Sequence, residues 1–291
     1  MTQTTTIGIA GAGTMGVGIA IVAARAGSAT ILFDLEPQAL TRAQRQIAGF
    51  FAKSVEKRRL DQAAADAAIG RVTTTSDIVA LAPSAMVIEA VYEDLATKRA
   101  LLQALDRICA PDTIFASNTS TLSITEIAAG SNRPERVVGM HFCLPAQLMK
   151  LVEMSPGLNT DDAAFDRAWQ LCTAMGQRPV KTRDTPGFVL NALLVPFNND
   201  VIRLIETGVA EPAEIDRAIK KGLGYAMGPC ELLDLVGLDT QLRLCDVFFA
   251  ITQDPRAAAP PLLRRMVAAG RLGRKTGQGF FRYQGDATFG G

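Results

Sequence analysis

The feature that most limits what this 291-residue chain can fold into is an alternation of short apolar, β-rich runs with long helical stretches, which stops near residue 184. The runs expected as strands are Thr6–Ala10, Ala29–Asp34, Arg71–Thr74, Met86–Ala90, Thr113–Ser117 and Arg136–Phe142. Two more, Lys150–Met154 and Pro179–Thr182, complete the set. Nearly continuous apolar strands separated by Ala-, Arg- and Gln-rich helices indicate a parallel sheet covered on both faces. Beyond Arg183 only helical periodicity remains, over Phe188–Thr207, Glu211–Lys221, Pro229–Phe249 and Ala257–Ala269. Thr185-Pro186 predicts the start of the first of these helices, with Thr as N-cap and Pro at the first helical position. An α/β chain is therefore expected, with a sheet domain over residues 1–184 and an all-helical domain over 185–291.

The first strand leads into Gly11-Ala12-Gly13-Thr14-Met15-Gly16, which opens a helix expected over Thr14–Ala26. Each glycine has its own reason: a tight turn, close backbone approach to a diphosphate, and close helix–strand packing. The free N–H groups of the helix start then face the diphosphate charge. Asp34 closes the second strand, placed so that its carboxylate accepts from an adenosine ribose hydroxyl and repels the extra phosphate of NADP. These residues make the sheet domain Rossmann-like and NAD its expected cofactor. A glycine-rich turn with no ligand is the competing reading.

Composition removes other classes. Thirty basic against twenty-nine acidic side chains leave a formal charge of +1, without the basic surplus that nucleic acid or an anionic membrane surface requires. One histidine excludes a multi-histidine zinc site, and no metal is expected. Five cysteines, an odd number with no Cys-x-x-Cys pair, suit reduced thiols in a cytoplasmic protein. There is neither a leader-like N-terminus nor an apolar run of membrane-spanning length.

The single histidine, His141, ends an expected strand, as do Asp34, Glu89 or Glu93, and Ser117-Asn118-Thr119-Ser120. Ligands of open α/β sheets bind at the carboxyl ends of the strands. Only Cys143–Met149 separate the His141 strand from the one carrying Glu153, too few residues for a parallel crossover, so the two should pair antiparallel. His141 can then lie beside Glu153. A carboxylate at an imidazole fixes its tautomer, as a general base removing a hydroxyl proton requires. A histidine satisfied by a nearby carbonyl is the structural alternative.

The ordered segments Ile9–Gly16, Val87–Val91, Ala116–Ser120, His141-Phe142, Met149–Glu153, Asp184–Asn191, Gly224–Pro229, Glu231–Asp234 and Leu272–Phe280 resemble the short form of the NAD-dependent L-3-hydroxyacyl-CoA dehydrogenase family. The resemblance implies His141 as general base, Glu153 as its partner, Ser120 as a hydroxyl bonding the reacting oxygen, and Asn191 as a donor to the reacting carbonyl. It implies cofactor contacts at Glu93, Lys98, Ser120 and Lys275, an acyl-CoA substrate of short chain such as 3-hydroxybutyryl-CoA, and a homodimer formed through the C-terminal helices. Lys53, Lys57 and Arg58 fall on the helix region that meets the CoA nucleotide in the family; a solvated face explains the same pattern. Two positions depart from the family: Leu144 stands where it usually has Asn, and Ala192 where Arg is common. Both bear on cofactor positioning and on the acyl group. A free hydroxy acid or sugar acid substrate, or a non-catalytic NAD-binding structural protein, are the other readings of the same fold.

Overall fold

The computed structural model describes residues 5–283; the outermost residues of both expected domains, 1–4 and 284–291, lie outside it. The chain divides into two compact units between Phe188 and Val189. Among the described residues no helix is long and apolar enough to cross a membrane.

The first unit carries eight strands: β1 Thr6–Ala10, β2 Ala29–Phe33, β3 Val72–Thr75, β4 Met86–Glu89, β5 Ile114–Ser117, β6 Val137–Phe142, β7 Leu151–Pro156 and β8 Arg178–Lys181. Its helices are α1 Thr14–Arg25, α2 Pro37–Glu56, α3 Gln62–Gly70, α4 Leu95–Ile108, α5 Ile124–Ala128 and α6 Asp162–Ala174. One sheet runs in the order β3-β2-β1-β4-β5-β6-β7-β8. It is parallel from β3 to β6, and the short β6–β7 connection makes that pair antiparallel. Because β1 has β2 on one side and β4 on the other, the strand order reverses there, which opens the ligand crevice at the carboxyl ends of β1 and β4.

The period-2 alternation of the strands sorts their side chains between two cores. Ile7, Ile9, Met86, Ile88, Val138 and Met140 pack under α1, α2, α3 and α6. Val87, Phe115 and Val137 pack under α4 and α5 with Leu102, Leu105 and Ile127. Glu89 follows Val87 on the α4 side, and His141 and Glu153 lie on that side too, since their neighbours Met140, Phe142, Val152 and Met154 belong to the other core.

The second unit is helical: α7 Leu190–Glu206, α8 Pro212–Leu223, α9 Pro229–Val236, α10 Leu238–Thr252 and α11 Pro261–Ala268. Two expectations change here. Thr185-Pro186 does not start a helix: Gly187 and Phe188 have φ of +75° and +50°, outside the right-handed helical region, and α7 begins only at Leu190. The helix expected over Pro229–Phe249 is broken by Gly237 at φ +105° into α9 and α10. Asp234 ties the end of the unit down, accepting from the backbone N–H groups of Phe280 and Phe281 and from the Tyr283 hydroxyl.

Gly16 sits so close under the preceding turn that a Cβ would lie 1.7 Å from the Gly11 carbonyl oxygen. Gly16→Ala should therefore destabilise the first unit by about 1–3 kcal/mol through overpacking. Urea unfolding followed by circular dichroism measures this, and wild-type stability would show that the turn relaxes without cost.

Candidate active site

The glycine turn has the shape a diphosphate needs. Gly11 holds φ +108° against the Ala90 carbonyl, which a Cβ would approach to 2.6 Å, so β1 and β4 are separated at their ends by bare backbone. Gly16 and Ala12 are buried, Met15 half-buried, and Gly13 and Thr14 exposed. A Cβ on Gly13 would meet nothing within 4 Å. No side chain caps α1, so the N–H groups of its first turn remain available to an anion. Asp34 lies half-buried at the rim, its two oxygens accepting from the N–H groups of Ala12 (2.7 Å) and Glu36 (2.9 Å). Its carboxylate thus both shapes the turn and keeps lone pairs for a ribose hydroxyl. These residues fit a bound dinucleotide.

At the other end of the crevice, β6 and β7 pair His141 directly with Glu153. His141 Nδ1 lies 3.0 Å from Glu153 Oε2, and both side chains are buried. The Phe188 ring, 5.7 Å away between centroids, covers the imidazole. Asn118 Oδ1 accepts from the Phe142 N–H (2.9 Å) and ties the end of β5 to β6 beside the histidine. Cys143 is buried, and burial together with the Glu153 charge pushes its thiol up to about 11. A thiol so held is no nucleophile at neutral pH.

Between these ends lies a polar cluster. Lys98 on α4 is 1% exposed and its ammonium meets both oxygens of Glu89 at 2.8 Å and Glu93 Oε2 at 3.2 Å. The other oxygen of Glu93 accepts from the Thr119 hydroxyl (2.6 Å), the Ser120 N–H (2.8 Å) and hydroxyl (3.2 Å), and the Thr121 N–H (3.0 Å) and hydroxyl (3.1 Å). Glu89 also accepts from the Ser117 hydroxyl and the Val91 N–H. Burial pushes Glu89 above the ordinary carboxylate range, against the opposing pull of Lys98. Burial also raises Glu93, but the Lys98 charge and the bonds from Thr119 and Ser120 outweigh it and hold this carboxyl below that range.

The structure thus brings Gly11–Gly16, Asp34, Glu93, Lys98, Ser120, His141 and Glu153 to the carboxyl edge of one sheet. It encloses Lys98 beneath the two glutamates, of which Glu93 is the partly exposed one. Asn191 lies in the first turn of α7, and Lys275, also in the second unit, is paired with Asp239. Lys53, Lys57 and Arg58 are all exposed, but only Lys53 is on α2: the helix ends at Glu56, Lys57 caps it, and Arg58 turns to φ +53°. The Lys57 N–H still donates to the Lys53 carbonyl at 3.0 Å, so these two lysines keep their i,i+4 spacing while Arg58 turns away. Sequence reasoning passed over Thr121, although it flanks the quoted Ser120, gave Thr119 no separate role, and left the role of Glu89 open. It also gave no role to Asp184, whose carboxylate accepts from Ser123, Ile124 and Thr125 and seats the start of α5.

Because the folded Glu93 carboxyl takes up its proton less readily than the unfolded one, its contribution to stability is present above the ordinary glutamate range and lost as pH falls through the depressed folded value. Glu93→Gln should be less stable than wild type at neutral pH, with the gap closing on acidification. Urea midpoints across an acid pH series test this; a gap independent of pH would contradict it.

Comparison with known proteins agrees with this geometry. The family model described as "3-hydroxyacyl-CoA dehydrogenase, NAD binding domain" matches residues 6–185, and that described as "3-hydroxyacyl-CoA dehydrogenase, C-terminal domain" matches residues 187–283. A 3-hydroxybutyryl-CoA dehydrogenase of Mycobacterium tuberculosis is 41% identical over 279 residues, 95% of this chain and 98% of that protein. The crystal structure of M. tuberculosis FadB2 superposes with a TM-score of 0.92 at 41% identity, over 96% of this chain and 98% of the other. That of the (S)-3-hydroxybutyryl-CoA dehydrogenase PaaH1 from Ralstonia eutropha gives 0.91 at 37% identity, over 97% and 100%. With both models matched along nearly its whole described length, the chain belongs to the 3-hydroxyacyl-CoA dehydrogenase family.

Proposed function

We propose that the protein is an NAD-dependent dehydrogenase that interconverts an L-3-hydroxyacyl-CoA of short chain, such as 3-hydroxybutyryl-CoA, and the 3-ketoacyl-CoA. The observation that carries this reading is the buried His141–Glu153 pair, at 3.0 Å, on the sheet edge that also bears the dinucleotide turn. The relatives named above as 3-hydroxybutyryl-CoA dehydrogenases support the substrate class.

Glu153 accepts from Nδ1–H and so keeps Nε2 as the basic nitrogen of His141. Nε2 takes the proton of the substrate hydroxyl as the carbon is oxidised, and returns it in the reverse direction. Bound NAD supplies the hydride acceptor. Ser120, held through its N–H and hydroxyl by Glu93, orients the reacting oxygen. Asn191 donates to the carbonyl that forms. The exposed Lys53, Lys57 and Arg58 meet the phosphates of CoA, and Lys275 contacts the cofactor.

The enzyme works as a cytoplasmic homodimer joined through the helical unit. Free, buried cysteines support the reducing compartment, and exposed Leu193, Val209, Leu223 and Phe249 supply apolar surface for a second copy. Light scattering should give twice the chain mass; a monomer at micromolar concentration would refute the dimer.

NADH oxidation with acetoacetyl-CoA tests the activity, with free acetoacetate as comparison. Turnover of the thioester supports the reading, and turnover of the free acid alone overturns it in favour of a CoA-free substrate. His141→Ala should lower kcat by on the order of 10²–10⁴ while leaving NADH binding intact. Near-normal turnover in that variant would remove the histidine from the mechanism.

A further inference from the structure

Glu89 has no place in the proton transfer just described, yet it is a buried carboxylate at the end of a central strand, and its ionic partner is also buried. Alternation along β4 puts Glu89 on the same side as Val87, where α4 packs, and α4 delivers Lys98 to it. All four bonds to the Glu89 oxygens come from donors: two from the Lys98 ammonium, one each from the Ser117 hydroxyl and the Val91 N–H. The site is built for the carboxylate form. With Glu93 also on Lys98, two carboxylates share one ammonium, and the ionised cluster carries one net negative charge. No other cation is paired with either glutamate among the described residues.

The topology says which part of a bound dinucleotide faces that charge. The diphosphate belongs at the Gly11–Gly16 turn, and Asp34 at the end of β2 marks the adenosine side. The other half must run the opposite way from β1, over the ends of β4 and β5, to bring its reacting ring toward His141 on β6. Glu89 ends β4, and Glu93 stands in the loop after it with a third of its side chain exposed. The nicotinamide ring is a cation in NAD⁺ and neutral in NADH. A fixed negative charge beside the ring therefore acts on one redox form and leaves the other almost untouched.

We propose that the Glu89–Lys98–Glu93 cluster is an electrostatic selector that raises affinity for the oxidised cofactor relative to the reduced one, with Glu89 as the positioning residue that takes up the Lys98 charge and leaves that of Glu93 uncompensated. This rests on NAD as the cofactor. A purely structural role predicts something different: loosening the crevice weakens both redox forms together.

The test is the ratio of Kd for NAD⁺ to Kd for NADH, measured without substrate by isothermal titration at mildly alkaline pH. Glu89→Gln keeps the shape and removes the net charge, and should raise the ratio about ten-fold, almost wholly through weaker NAD⁺ binding. Glu93→Gln makes the same charge change from the partly exposed side and should shift the ratio in the same direction, which keeps the test decisive if Glu89→Gln does not fold. Glu89→Asp, which retains the charge, should stay near the wild-type ratio. Parallel weakening of both forms, or an unchanged ratio in folded variants, overturns the selector. A wild-type chain that binds neither dinucleotide overturns the cofactor reading and the selector with it.

Discussion

The interaction on which the site depends is the register of one antiparallel strand pair. β6 and β7 place His141 opposite Glu153, and the alternation of side chains puts both on the same side of the sheet. A slip of one residue would send the imidazole into the packed layer under α6 and bring Met140 or Phe142 to its place. That register is itself held by packing: Val138, Met140, Phe142, Val152 and Met154 all belong to the core that α1, α2, α3 and α6 cover. The mechanism proposed for the protein thus rests on hydrophobic burial one residue away on either side.

From that pair a chain of polar contacts runs along the sheet edge. Asn118 locks β5 to β6, Glu93 gathers the Thr119–Thr121 backbone and hydroxyls, and Lys98 joins Glu93 to Glu89 at the end of β4. Each link is a charged or polar group whose partner is supplied by a neighbouring strand end, loop or helix. Such a chain is well satisfied and correspondingly intolerant: removing one member leaves a buried charge or donor without its counterpart.

Much of this was legible in the sequence, and the failures have physical causes. Apolar runs and the glycine turn located the strands to within a residue or two, and a seven-residue connection implied the β6–β7 antiparallel pair. Helix ends were harder. Thr185-Pro186 has the residues of an N-terminus, but the left-handed backbone at Gly187 and Phe188 delays α7 by a turn, and nothing in a phenylalanine announces a positive φ. Gly237 lay inside a helical pattern, where a single glycine costs little enough to be overlooked. The electrostatics were the least visible. The resemblance marks Lys98 as a cofactor contact, and only the fold shows that it is enclosed between two carboxylates.

The enclosure of the five cysteines carries a consequence for the life of the protein. All are free and buried, and burial raises the thiols of Cys109 and Cys143 to about 11 and that of Cys172 to about 12. Almost none of the sulfur is thiolate at neutral pH, even at Cys143, two positions from the histidine. A catalyst of carbonyl chemistry is exposed throughout its working life to electrophiles and peroxides. While the chain is folded, its buried thiols offer such reagents hardly any thiolate to attack.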